Sequence, residues 1–195
     1  MGRVTEAQIN EAINNFEYEG KLLSWQPYGS GHINDTYLLV FEIGKMGRLK
    51  VILQRMNKEI FTNPEELMEN VVGVTSYLRE KIIENGGDPD RETLNLIPAK
   101  DGKQYFVDSQ GEYWRSYIFI TDATSYDQVE KPEDFYESAV AFGHFQRLLA
   151  DYPAETLHET IKGFHDTKAR FQVFKEAVEK DVCGRAADVQ KEIDF

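Results

Sequence analysis

Two glycines flank a serine at Gly29, Ser30 and Gly31, directly after the predicted strand KLLSWQPY. Glycine lacks a Cβ atom, so a loop of this kind can adopt positive φ and bring several main-chain N–H groups against an anion. Asn34 and Thr36 follow in the next predicted strand. A glycine-rich connection between strands is also typical of an ordinary hairpin. The three residues alone therefore fit both a hairpin turn and a phosphate-binding loop.

A cation and an acid that suit phosphate binding follow this loop. Arg55 stands near the end of the third predicted strand, RLKVILQRMN, and Glu69 stands in the helix predicted after it. In kinases a strand cation holds the nucleotide phosphates, and a helix glutamate holds that cation by a charge-assisted pair. We expect Arg55 and Glu69 to form this pair, but a register shifted by one residue would substitute Gln54. The alternative is an exposed edge cation and a solvated helix acid.

The segment WRSYIFITDATSYD passes from an apolar strand into a polar connector. Mostly apolar pockets fix a ring through a few main-chain hydrogen bonds, so we expect an adenine to bind around Tyr117, Phe119, Ile120 and Thr121. The alternative interpretation is a buried strand end without a ligand.

Histidines offer little for catalysis in this sequence. No two of them have the spacing of a helical metal site, which argues against a histidine metal centre. His165 and Asp166 are candidates for positioning a substrate, although Asp166 or Thr167 equally suits the N-cap of a helix. We favour the cap over the substrate role.

The elements that must position these residues follow from pattern. A capping box at Thr5 predicts a helix over residues 5–18, and three antiparallel strands should follow in meander order up to Asn57. Asn63 and Pro64 predict the start of a long helix that ends near residue 85, and three more strands lead to Ile120. Helices dominate afterwards. The sequence thus predicts an α+β fold, with a nucleotide-binding lobe over residues 1–120 and a helical lobe over residues 121–195.

Composition excludes several classes of protein. The chain of 195 residues has a formal net charge of −12 and 41% hydrophobic residues, so it should fold, and its charge argues against a nucleic-acid partner. No apolar run approaches the roughly 18 residues of a membrane span, and the N-terminus lacks a signal-peptide core. We therefore expect a cytoplasmic protein. A single cysteine, Cys183, excludes an intrachain disulfide.

Six stretches in order carry a family resemblance: GSGHINDTYLL, VILQRMN, NPEELMENV, WRSYIFI, FGHFQRLLAD and ETIKGFHDT. From about Tyr28 to the C-terminus the chain resembles the aminoglycoside-phosphotransferase-like small-molecule kinases, in particular the N-acetylhexosamine kinase group, also called mucin-desulfatase-like. The resemblance implies a protein-kinase-like fold of two lobes. It also implies ATP and Mg²⁺ as cofactors and phosphoryl transfer to a sugar hydroxyl.

The same resemblance implies a set of nucleotide-binding positions. They are Gly29, Ser30, Gly31, Asn34, Thr36, Gln54, Arg55, Glu69, Tyr117, Phe119, Ile120 and Thr121. Gln54 or Arg55 takes the place of the lysine usual in kinases on strand three, and the choice between them stays open.

The family's catalytic loop, an H-x-D motif followed by a metal-binding asparagine, has no counterpart here. Asn95 is the last asparagine of the sequence, and Phe171 stands where that loop would need one after Asp166. The resemblance therefore implies a chain that ends before its catalytic segment, lacks the Mg²⁺ ligands and is inactive alone. A second hypothesis is a non-catalytic kinase-like module. Such a module would associate through uncovered helix faces that carry Phe135, Phe142 and Phe145.

Overall fold

The computed structural model describes residues 2–45 and 47–195, and the chain divides into two compact units, residues 1–160 and residues 161–195. The first unit combines an antiparallel sheet with helices, which confirms the predicted α+β class. This unit ends at residue 160, whereas the lobes expected from the sequence divide at residue 120.

The N-terminal helix α1, Glu6–Asn15, begins with the predicted capping box. The Gln8 N–H donates to Thr5 Oγ1 over 3.3 Å, and the Thr5 N–H donates to Gln8 Oε1 over 3.1 Å. The helix ends before the predicted Tyr18 because Phe16 is already extended and pairs with Ala99 in an isolated β-bridge.

All the strands found in residues 2–45 and 47–160 belong to one antiparallel sheet. The strands are β1 Lys21–Pro27, β2 Asp35–Ile43, β3 Gly47–Arg55, β4 Leu96–Ile97, β5 Phe106–Val107 and β6 Tyr113–Ile118. Their order is β1-β2-β3-β6-β4, and β5 also pairs with β6. The meander predicted for the first three strands is confirmed.

The remaining helices follow the predicted order. They are α2 Pro64–Glu84, α3 Pro89–Glu92, α4 Pro132–Leu148, α5 Thr167–Lys180 and α6 Gln190–Asp194, with 3-10 turns at Ala154–Thr156 and Ala186–Val189. Asn63 caps α2 by accepting from the Glu66 N–H. The short helix α3 was not predicted, because a single turn capped by Asp88 carries no periodicity. In the part of the chain that the structure describes, no helix is long and apolar enough to cross a membrane.

The hydrophobic core lies on one face of the sheet, against α1. Side chains of a strand alternate between faces, so the odd-numbered residues of β2 and β3 share this face. Its most buried members include Ile9, Phe16, Leu39, Val51, Leu53 and Trp114. The even-numbered residues of β2 and β3, such as Thr36, Ile52 and Gln54, lie on the opposite face, which carries the candidate site described below.

Helix α4 buries none of its side chains among the described residues of its unit. Phe135 is 66% exposed, Phe142 is 67% exposed and Phe145 is 44% exposed. The expectation that these aromatic side chains are poorly covered is confirmed. What partner covers them stays a prediction.

Candidate functional site

A cleft of about 340 Å³ lies on the face of the sheet opposite the core. Ile52 of β3 forms part of its wall, and Leu94 forms another part. Half of the predicted nucleotide-binding residues line it, namely Gly29, Gly31, Thr36, Tyr117, Phe119 and Ile120. The fold therefore brings the glycine loop and the connector, far apart in sequence, to one site.

The glycine loop is longer than a tight hairpin turn. It spans residues 28–34 between β1 and β2, and the Tyr28 N–H donates to the Thr36 carbonyl over 2.9 Å at its base. Gly29 adopts a φ of 84°, which favours glycine, whereas Gly31 does not lie in the left-handed region. A Cβ at either position would meet nothing within 4 Å. Both glycines line the cleft, and the space beside each of them is open.

Ser30 lies in this loop but does not line the cleft. Its Oγ donates to Asp127 Oδ1 over 2.8 Å, so it ties the loop to the polar connector. Of the three residues of the predicted phosphate-binding turn, the two glycines therefore line the cleft and the serine does not.

The connector leaves the sheet beside β3. The Phe119 N–H donates to the Lys50 carbonyl over 3.0 Å, and the Phe119 ring meets Tyr28 edge-on with centroids 5.4 Å apart. No hydrogen-bond partner is found within residues 2–45 and 47–195 for the Ile120 N–H. Thr121 is exposed outside the cleft, where its carbonyl accepts from Arg91 Nη1. The edge available to a bound ring is therefore at Ile120 and not at Thr121.

Arg55 does not face the cleft. Its side chain is almost fully buried on the core side of the sheet, with Nε 2.9 Å and Nη2 2.6 Å from Asp35 Oδ2. Nη2 also donates to the Gly2 carbonyl over 2.6 Å. The expected pair between Arg55 and Glu69 was wrong, because strand alternation places Arg55 with Leu53 on the face that α1 covers.

Glu69 is exposed and faces a different segment. Its Oε2 lies 2.6 Å from His158 Nε2. The neighbouring Asn70 side chain donates to the His158 carbonyl over 2.8 Å and accepts from the His158 N–H over 2.9 Å. Glu69 therefore helps to hold the chain around residue 158 on α2 and supports no strand cation.

A cation that the sequence interpretation missed lies on the cleft side of the sheet. Arg115 of β6 pairs across the strands with Gln54, and its Nε and Nη2 lie 2.9 Å and 2.7 Å from Gln54 Oε1. Gln54 Nε2 in turn donates to Thr36 Oγ1 over 2.9 Å. Burial lowers the pKa of Arg115, opposed by the charge of Tyr117, yet a guanidinium stays protonated near neutral pH. In the stretch WRSYIFI, strand alternation puts Arg115 on the same face as Tyr117, one of the predicted nucleotide-binding residues. This alternation is the sequence signal that could have identified Arg115.

Asn34 is a structural residue outside the cleft lining. Its Oδ1 accepts from the Asn57 N–H over 2.9 Å and so fixes the chain that follows β3. The sequence around Asn34 gives no signal that distinguishes this structural role of a loop asparagine from ligand binding.

His165 and Asp166 belong to the second unit. Asp166 Oδ1 accepts from the Ala169 N–H over 2.9 Å, which confirms the interpretation as the N-cap of α5. The exposed His165 ring lies edge-on against Phe164 with centroids 4.9 Å apart. The substrate role of both residues stays a prediction.

The residues that line the cleft suit the binding of a ligand. Its walls are apolar and aromatic near the connector, and they become polar near Thr36 and the glycine loop. None of its lining residues is acidic, so the cleft has no carboxylate for a general base or for Mg²⁺. Across residues 2–45 and 47–195, no three His, Cys, Asp or Glu side chains are grouped to hold a metal ion. The chain matches no protein-family model.

Proposed function

We propose that the cleft binds the nucleotide of a protein-kinase-like phosphotransferase, with ATP as the nucleotide and a sugar hydroxyl, in the class of the N-acetylhexosamines, as the acceptor. The observation that supports this proposal is the convergence of Gly29, Gly31, Thr36, Ile52 and the connector in one cleft. Apolar walls suit a planar base, and a glycine loop suits phosphates.

The proposed ring position lies over Ile52 and Tyr117, with its edge toward the main chain of Ile120. Ile52 and Tyr117 are cross-strand partners on β3 and β6, and both line the cleft. The phosphates would extend toward the glycine loop, at the end of β2 where Thr36 lies. This orientation places the polar end of the ligand at the polar end of the cleft.

The proposed role of this chain is nucleotide binding without transfer. Phosphoryl transfer needs a base for the acceptor hydroxyl and ligands for the metal that bridges the phosphates. The residues lining the cleft supply neither. We therefore expect the 195-residue chain by itself to bind ATP weakly, with a dissociation constant in the range of about 0.1–1 mM, and not to phosphorylate sugars.

Titration of the isotope-labelled protein with ATP, in the presence and absence of Mg²⁺, tests the site directly. We expect the amide signals of Gly29, Gly31 and Ile120 to shift together and to saturate. Signals of α5, such as that of Phe171, serve as an internal control and should stay in place. Unchanged signals at ATP concentrations well above 1 mM would contradict the proposal.

Replacing Gly29 with alanine is expected to weaken ATP binding about threefold to tenfold, because a Cβ strains a residue at φ 84° and reshapes the loop. Gly102 is a matched control, since it has a φ of 82°, equally open surroundings and a place outside the cleft. Both substitutions should lower the free energy of unfolding by about 1 kcal/mol. Equal ATP affinity of the two variants would count against a role for the loop in binding.

A second candidate function, a non-catalytic module that associates through α4, is favoured by the exposed rings of Phe135 and Phe142. Such a patch is typical of an interaction surface. If α4 mediates self-association, the sedimentation coefficient should rise with protein concentration, and Phe142→Lys should abolish the rise. Phe164→Lys, at an exposed ring outside α4, is the control. A concentration-independent monomer would exclude this candidate.

A further inference from the structure

Arg115 is a half-buried cation whose charge is not neutralised by any carboxylate of the described residues. Within the described ranges, no Asp or Glu oxygen lies within 4 Å of its guanidinium, and its hydrogen bonds go to the amide oxygen Gln54 Oε1. Arg55 differs, since Asp35 compensates its charge on the other face of the sheet.

An uncompensated cation on a partly buried surface is costly. Burial of a charge without a counter-charge is unfavourable, because an amide oxygen replaces only part of the hydration that the guanidinium loses. Gln54 accepts from two of the five N–H donors in the guanidinium plane, and the remaining donors have no hydrogen-bond partner among the described residues. Guanidinium groups bind phosphate oxygens well for the same geometric reason.

Neither Arg115 nor Gln54 is among the residues that line the cleft, but their row across the sheet ends at Thr36, which lines its polar end. Thr36, Gln54 and Arg115 form one row across β2, β3 and β6, and Ile52 and Tyr117 form part of the next row toward the connector. Rows on one face are separated by about 7 Å along the strands. The glycine loop starts from the end of β1 and returns into β2 at Asp35, beside the row that contains Arg115. The charge thus lies on the side of the ring position that faces the glycine loop.

We propose that Arg115, held in place by Gln54, is the cation that binds phosphate in this cleft, so that the site selects nucleoside di- and triphosphates over nucleosides. The inference rests on the proposed nucleotide site. Arg115 takes the role of phosphate contact that the sequence analysis assigned to Arg55 or Gln54 of β3. Gln54 acts as a positioning residue, and its own amide is fixed by Thr36.

Two variants test the proposal by their affinities for ATP, ADP and adenosine, measured by calorimetry on the full chain. Arg115→Met removes the charge and keeps the apolar stem. Gln54→Glu puts a carboxylate against the guanidinium, which neutralises Arg115 without removing it, and Thr36 Oγ1 can donate to that carboxylate. For both variants we expect ATP and ADP affinity to fall about tenfold to a hundredfold, and adenosine affinity to change less than about twofold.

Arg48→Met is the matched control, because Arg48 is exposed on the same strand as Gln54 and its loss changes the net charge equally. This control should leave the ratio of ATP to adenosine affinity near that of the wild type. The free energy of unfolding of Gln54→Glu should be at least that of the wild type, since the substitution adds an ion pair. The test therefore stays valid if Arg115→Met folds poorly.

The outcomes distinguish a failure of the role proposed for Arg115 from a failure of the nucleotide site itself. Adenosine binding with an unchanged ATP to adenosine ratio in Gln54→Glu would overturn the role of Arg115 and leave the nucleotide site standing. Failure of the wild type to bind adenosine, ADP or ATP would overturn the proposed function and this inference together. Selective loss of the phosphorylated ligands in both variants supports the proposal.

Discussion

Replacing Asp108 with alanine is expected to lower the free energy of unfolding by about 3–4 kcal/mol at pH 7. Asp108 is only 4% exposed and accepts at both carboxylate oxygens. Oδ1 accepts from the Gln110 and Glu112 main-chain N–H groups, each over 2.9 Å. Oδ2 accepts from Gln8 Nε2 over 3.1 Å and from Trp114 Nε1 over 3.0 Å. Alanine would leave these donors without a partner inside the protein.

The Asp108 carboxylate joins α1, the β5–β6 turn and the central tryptophan, so its loss should affect the whole first unit. Urea unfolding followed by tryptophan fluorescence measures the effect, and the slope with urea should stay that of the wild type. Asp101→Ala is the control, since Asp101 is an exposed turn residue that accepts from the Lys103 N–H. A loss below about 1 kcal/mol in Asp108→Ala would contradict the structural role of this network.

The same carboxylate gives a pH dependence whose sign is fixed. Burial raises the pKa of Asp108, but hydrogen bonds from Trp114, Glu112, Gln8 and Gln110 outweigh it and hold the pKa below its ordinary value. Because the folded state favours the charged form, the stabilisation is complete above the unfolded pKa of about 3.9 and disappears as pH falls through the lower folded pKa. The difference in unfolding free energy between wild type and Asp108→Asn should therefore be larger at pH 7 than at about pH 3. A difference that grew on acidification would contradict this assignment.

Replacing Arg55 with methionine is expected to lower the free energy of unfolding by about 2–3 kcal/mol and to leave ATP affinity within about twofold of the wild type. The guanidinium is buried and bridges Asp35 and the Gly2 carbonyl on the core side of the sheet. Asp35 keeps 39% of its side chain exposed, so water compensates part of the lost pair and limits the cost.

A double-mutant cycle separates the ion pair from the other contacts of Arg55. If the pair carries the effect, Arg55→Met combined with Asp35→Asn should destabilise the protein by less than the sum of the single changes. Urea unfolding gives the stability, and calorimetry with ATP gives the affinity. A tenfold loss of ATP affinity with little change in stability would restore Arg55 as a phosphate ligand and contradict its structural role.

The sequence predicted most elements of the fold because their signals are local. The capping box at Thr5, the Asn63 cap followed by Pro64, and the alternating runs of β2 and β3 are all encoded within a few residues. The exception among the helices is α3, a single turn that has no room for a periodic pattern. Element bounds that depend on distant partners were less certain, as Phe16 shows by leaving α1 to pair with Ala99.

The candidate site was predicted in part. Gly29, Gly31 and the connector were found because their residue types favour a loop and a strand end, and the fold brings them together at the cleft. Glu69 was assigned the wrong neighbour, because the phase of an exposed helix residue depends on what packs on that helix, here the chain around His158. Arg115 was overlooked, because its hydrogen-bond partner among the described residues, Gln54, is 61 residues away in sequence.

By itself the sequence determined the α+β class, the meander of the first strands and the fact that Gln54 and Arg55 point to opposite faces of β3, since successive side chains of a strand always alternate. Only the tertiary structure decided which of these two residues lies on the cleft side of the sheet. Helix α1 packs on the side of the sheet where Arg55 pairs with Asp35, and Gln54 lies on the other side beside Arg115. Packing between distant segments selects the face that is buried, and that choice separates the structural Arg55 from Arg115, the cation that we propose for the ligand.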